Sequence, residues 1–111
     1  MKKELKEVFD YLFASGTDRQ QELEILMLRK LNIHSLAKIL RFYNKKIIEQ
    51  LDEVTATYSL GLITQMERIS ETFTVTQSHM LKTHEIIDRY CTVWGDDRAI
   101  VEAQLSVLIT K

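Results

Sequence analysis

The chain has 111 residues, which suits one domain of modest size, and its 45% apolar and 28% charged composition is that of an ordinary globular chain. Its formal net charge of −1 and pI of about 6.3 exclude a globally basic nucleic-acid binder, so any such footprint must come from local clustering of Lys and Arg. No apolar run approaches the length of a bilayer span, and the opening MKKELKEV carries acids where a signal peptide would be apolar; both predict a cytoplasmic protein with no membrane partner. Cys91 is the single cysteine, has no partner for an internal disulfide, and reads as a small buried hydrophobe.

From Lys3 to Ala14, Leu5, Val8, Phe9 and Leu12 recur on one face at helical spacing. Gly16 is a C-terminal stop for that helix. Thr17 opens a second helix with Gln20 three residues on as a capping box, running to about Leu31. This helix is apolar on more than one face (Leu23, Ile25, Leu26, Met27, Leu28), as a helix central to a core is. Asn32 caps a short helix from Ile33 to Leu40, then Arg41, Phe42 and Tyr43 form a turn. Asn44 caps the next helix, which reaches roughly Tyr58 before Gly61 ends the region.

Beyond Gly61 the pattern changes. Leu62–Met66 is compatible with a strand, and Thr72-Phe73-Thr74-Val75-Thr76 alternates at period two, with Ser70 and Glu71 as the turn between them. The other reading is one long helix from Leu60 to Tyr90, which the absence of proline permits. The poor helix propensity of a Thr-rich run favours the hairpin. Ser78 then caps a helix holding Met80, Leu81, Ile86, Ile87 and Tyr90. Gly95 breaks it, and Asp96 caps a last helix with Ile100, Val101, Gln104, Leu105 and Leu108 at helical spacing.

Three helices followed by a hairpin make the expected fold mainly α with a small β-hairpin: a winged helix-turn-helix with extra terminal helices. The expected organisation is one domain over 1–111, with a core at about 18–77. The flanking helices 2–15 and 78–110 are assigned to dimerisation. The segment NIHSLAKILRFYNKKIIEQLDEVTATYSLGL resembles the N-terminal winged-helix segment of Mga-type and related sugar-responsive bacterial regulators. Asn32, Leu36, Ala37, Leu40, Ile47, Leu51 and Val54 fall on matching positions over about a third of the chain. The resemblance implies a DNA-binding domain whose third core helix enters the major groove.

On that basis the candidate DNA contacts are Lys38, Arg41, Asn44, Lys45, Lys46, Ile48 and Glu49, with Arg68 at the wing tip. Asn44, Lys45 and Lys46 suit base edges or phosphates, Ile48 a thymine methyl, and Glu49 repels phosphate unless it reads a cytosine amine. His34, His79 and His84 have no converging ligand spacing, so no metal is expected. No phosphate loop and no nucleophile motif points to an enzyme, and no cofactor is expected. Trp94, before Gly95 and Asp96, reads as a core or interface anchor.

The leading expectation is therefore a homodimeric transcriptional regulator that binds double-stranded DNA. The alternative is a protein-binding adaptor, chaperone or antagonist on a winged-helix or all-helical scaffold; Ile48, Glu49, Asp52 and the near-neutral charge favour it. A helical bundle without any hairpin is the third arrangement.

Overall fold

The computed structural model describes residues 2–13 and 21–110, and over these it contains five helices and no strand. They are α1 (Lys3–Phe13), α2 (Gln21–Arg29), α3 (Ile33–Ser59), α4 (Gln65–Trp94) and α5 (Arg98–Thr110). The described part is 88% helical, which corrects the expected winged helix-turn-helix to an all-helical fold. The stop at Gly16 and the cap at Thr17 with Gln20 lie outside the described residues. No helix among them is long and apolar enough to cross a membrane.

The N-terminus of α3 forms as its cap dictates. The Ser35 backbone N–H donates to Asn32 Oδ1 at 2.8 Å, and Asn32 itself stays extended. The expected turn at Arg41–Tyr43 is absent; α3 runs through it for 27 residues. No glycine or proline interrupts the run, and a formed helix extends at small cost per residue. Phe42 and Tyr43 also gain aromatic partners on α1 by staying helical: Phe9 meets Phe42 edge-on at 4.8 Å and Phe13 meets Tyr43 at 4.3 Å between centroids. Asn44 is accordingly an interior residue of α3 and not a cap.

The expected hairpin is helical as well. After Gly61 turns the chain at φ 75°, Thr64 opens α4 with a full capping box. The Glu67 N–H donates to Thr64 Oγ1 at 3.1 Å and the Thr64 N–H donates to Glu67 Oε1 at 3.2 Å. The Thr-rich run then stays helical because its hydroxyls donate back one turn. Thr74 Oγ1 donates to the Ser70 carbonyl and Thr76 Oγ1 to the Thr72 carbonyl. A penalty of about half a kcal/mol per β-branched residue is small beside 30 residues of cooperative helix. Ser78 lies inside α4, not at its start. Gly95, at φ 67°, ends the helix as expected. The cap of α5 is Asp97, one residue later than expected: its Oδ1 accepts from the Ala99 N–H at 2.8 Å.

The five helices pack only at one end of the molecule. There α3 and α4 are covered by α1, α2 and α5 around a core that includes Leu12, Leu28, Leu31, Leu36, Ile39, Leu40, Ile86 and Val101. Glu24 is buried in this head and ion-pairs with Arg89, which also meets Glu85 at 2.9 Å. Trp94 anchors the end of α4: its indole N–H donates to the Leu28 carbonyl at 3.1 Å.

Beyond residue 44 of α3 and before residue 82 of α4 the two helices continue alone as an antiparallel arm. The radius of gyration is 15.9 Å, against about 13 Å for a compact domain of this length. The accessible surface is 7713 Å², against about 6300 Å² for a compact monomer of this mass. A projecting arm raises both.

Candidate interaction surface

The arm starts at an aromatic junction. Phe9, Phe13, Phe42 and Tyr43 pack together, and His79 of α4 stacks on Tyr43 at 5.0 Å between ring centroids. His79 Nε2 lies 2.6 Å from Asn44 Oδ1. A carbonyl oxygen only accepts, so the imidazole donates through Nε2–H. Burial holds His79 below the ordinary imidazole value of 6.5 and pushes the Tyr43 phenol up. Past this junction the seam carries half-buried Ile47, Leu51 and Val54 on α3, facing half-buried Arg68, Val75 and His79 on α4. On α3 these positions step by four and three, and on α4 by seven and four, the spacing of a two-helix coiled coil.

A second periodic stripe lies beside that seam. Met66, Ile69, Phe73 and Met80 follow one face of α4, and they are 81%, 56%, 66% and 55% exposed. Ile69 and Met80 are each one residue past a seam position, as Ile48 is one past Ile47 on α3. Each one-residue step turns a helix by about 100°. Because the two helices are antiparallel, these steps carry all three side chains to the same side of the arm. Ile48, 58% exposed, therefore joins the α4 stripe in one apolar face. The tip adds exposed Leu60 and Leu62.

The third feature is electrostatic. Lys38, Arg41 and Lys45 follow one another at i, i+3 and i+7 on α3, all exposed. With Lys2, Leu5 and Phe42 they line an open groove of about 720 Å³ that contains no acid. None of these four cations has an ion-pair partner among the described residues. From residue 38 to 46 the chain carries four cations and no acid. From 48 to 81 it carries five acids, Glu49, Asp52, Glu53, Glu67 and Glu71, against Arg68 alone. The arm is thus basic where it leaves the head and acidic around its middle, while its tip from 54 to 66 carries no charge.

The structure distributes the expected DNA contacts over several environments. It brings Lys38, Arg41 and Lys45 together. It turns Asn44 into the seam, where its carbonyl is taken by His79. It lays the Lys46 ammonium over Phe42 and Phe9, at 5.1 and 5.9 Å from their centroids. Ile48 and Glu49 are exposed on the arm. Arg68 is no wing tip: its guanidinium lies 4.8 Å from the Tyr58 ring centroid, half-buried within α4.

Sequence reading missed Met66, Ile69, Phe73 and Met80 as one surface, because two of them were assigned to strands. Their i, i+3, i+7, i+14 spacing was the available signal. Cys91 is buried, and burial with nearby Asp96 raises its thiol above the ordinary range, which disfavours thiolate chemistry. Compared with protein-family models, with curated proteins and with solved structures, the chain has no match in any of the three.

Proposed function

We propose that this chain is a helical interaction module, an adaptor whose α3–α4 arm receives a protein partner on one face. The observation that carries this reading is the exposed stripe Met66–Ile69–Phe73–Met80 with Ile48 beside it. An arm of two helices buries one stripe of each helix in its own seam. A second stripe on α4 has no use in the isolated arm, but it suits a third or fourth helix laid alongside. Covering a side chain of this size stabilises a complex by about 1.5–3 kcal/mol, so four or five of them supply the core of an interface. The Met residues add adaptable contacts. The test places a photo-crosslinking residue at Phe73, and in a second sample at Arg29 on the head, in the native host. Discrete protein adducts from position 73, absent from position 29, support the module; identical adduct patterns at both positions refute it.

A second reading keeps double-stranded DNA as the partner, and it rests on the acid-free groove with Lys2, Lys38, Arg41 and Lys45. With α3 unbroken there is no separate recognition helix, so this reading is limited to phosphate contacts and predicts binding without sequence preference. Four contacts give a slope of roughly −3.6 in log Kd-dependent affinity against log salt. A duplex-binding titration at several salt concentrations measures it; a Lys38→Ala/Arg41→Ala/Lys45→Ala variant with unchanged binding removes this reading.

A further inference from the structure

We infer that the basic groove at the base of the arm is a docking site for an acidic helical segment of a partner protein, with carboxylates at three- and four-residue steps and an apolar side chain between them. The inference goes beyond the module reading, because the groove shares no residue with the Met66–Met80 stripe. Three features of the groove lead to it.

The first is the spacing of its charge. Lys38, Arg41 and Lys45 are exposed at steps of three and four on α3, over about 10 Å of helix at 1.5 Å per residue. Lys2, just ahead of α1, lines the groove with them. Glutamates at i, i+3 and i+7 of a second helix repeat at the same steps. Laid along α3, such a helix sets a carboxylate beside each cation.

The second is the floor. Half-buried Leu5 and Phe42 lie among these cations, and the Lys46 ammonium is 5.1 Å from the Phe42 ring centroid. A phosphate chain has little to set on an apolar floor. A leucine side chain leaves water by covering it.

The third is extent. Acids bound the patch: Glu49 follows Lys45 by one turn on α3, and Glu4 and Glu7 line the neighbouring concavity with Lys30. A duplex carries one charge about every 1.7 Å of its axis, so its phosphates run on past the cations toward those acids. A short acidic helix ends where the cations do.

Such a segment opposes its own helix when free, since like charges four residues apart repel. The cations of the groove remove that repulsion, so docking orders the segment. Helicity gained on mixing is therefore a signature of this occupant.

The experiment uses the full chain and a fluorescent peptide of about four helical turns, with Glu at i, i+3 and i+7 and Leu at i+4. Anisotropy reads binding and circular dichroism reads helicity. The peptide is expected to bind and to become more helical. A peptide of the same composition with its Glu residues moved off these steps is expected to bind about fivefold more weakly, as is one with serine in place of the leucine. Lys38→Ala/Arg41→Ala/Lys45→Ala is expected to weaken binding about tenfold, since three exposed charge pairs each contribute a few-fold. Alanine favours helix, so the variant keeps the spectrum of the unmixed protein.

Four outcomes overturn the inference. No binding of the Glu-stripe peptide at about 500 µM protein excludes this occupant. Equal binding of the stripe and shuffled peptides excludes the helical register. Unchanged binding by the triple variant excludes the groove. A short duplex that binds more tightly than the peptide, and loses roughly fiftyfold between about 0.1 and about 0.3 M salt as four phosphate contacts require, assigns the groove to nucleic acid. None of these results alters the adducts expected at position 73, so the module reading stands or falls separately.

Discussion

The head and the arm share two helices and differ in what covers them. In the head, α3 and α4 are wrapped by α1, α2 and α5, and Leu36, Ile39, Leu40 and Ile86 are at most 1% exposed. In the arm the same helices have only each other. Ile47, Leu51 and Val54 reach half-burial, and Phe73 and Met66 stay in solvent. Helix content is therefore a poor guide to where this protein is stable. Caps and chain cooperativity are enough to keep both regions helical, while tertiary burial is concentrated in one of them. The head is built to hold together; the arm is built to be covered.

The largest test of that contrast is a pair of truncations. Leu36→Ala, in the head, is expected to lose about 2–5 kcal/mol of stability in urea unfolding, from lost transfer energy and the cavity left behind. Phe73→Ser, in the arm, is expected to shift the isolated monomer by no more than about 0.5 kcal/mol, because its ring is already hydrated. Comparable losses at both sites would erase the distinction between head and arm.

A smaller effect is expected from Arg89→Met, which strands the Glu24 carboxylate inside the head. Arg89 is 44% exposed, so water screens the pair and the expected loss is about 1–3 kcal/mol by the same unfolding measurement. Loss below 0.5 kcal/mol would mean that water reaches Glu24 freely. Removing the capping box with Thr64→Ala is expected to cost about 1 kcal/mol. Amide exchange should accelerate in the first turns of α4 while the protected amides around Ile86 stay unchanged. Faster exchange in both places would show that the arm and head open together.

The smallest effect sharpens the boundary between the two regions. His79 is held below its ordinary value of 6.5 by burial, so the unfolded chain takes the proton first as pH falls. The stability from keeping this ring neutral is fully present above 6.5. It is lost progressively as pH falls through 6.5 toward the lower folded-state value. His79→Gln retains an amide donor for Asn44 and does not titrate, so it should flatten this part of the pH–stability curve. An unchanged curve would place the acid response elsewhere.

Some of this architecture was written locally. The periodicity of Leu5, Val8, Phe9 and Leu12 marks α1, Asn32 caps α3 through one side-chain contact, and Gly95 ends α4 by adopting a left-handed backbone. Each feature acts within one turn, so each was legible. The arm was not legible, because period two over Thr72–Thr76 competed with a three-and-four spacing spread across Met66 to Met80. Five residues of β-like alternation outweighed the longer signal. Among the candidate site residues, Lys38, Arg41 and Lys45 share a face only because α3 is unbroken, so that three- and seven-residue steps fall on one helix; the sequence reading put Arg41 in a turn. The surroundings of Asn44, Lys46 and Arg68 were not legible either, since each faces a residue distant in the chain: His79, Phe9 and Tyr58.

The sequence alone determined the cap of α3 at Asn32, the stop of α4 at Gly95, and which side chains are charged along the arm. Those properties depend on neighbours within four residues and on composition. Only the tertiary structure decided that α3 passes unbroken through Arg41–Tyr43, and that α3 and α4 leave the head together. It also decided which apolar stripe is sealed in the seam and which remains open. Propensity differences are a fraction of a kcal/mol per residue, whereas the burial of each core side chain is worth several times more, so packing settles what local preference leaves undecided.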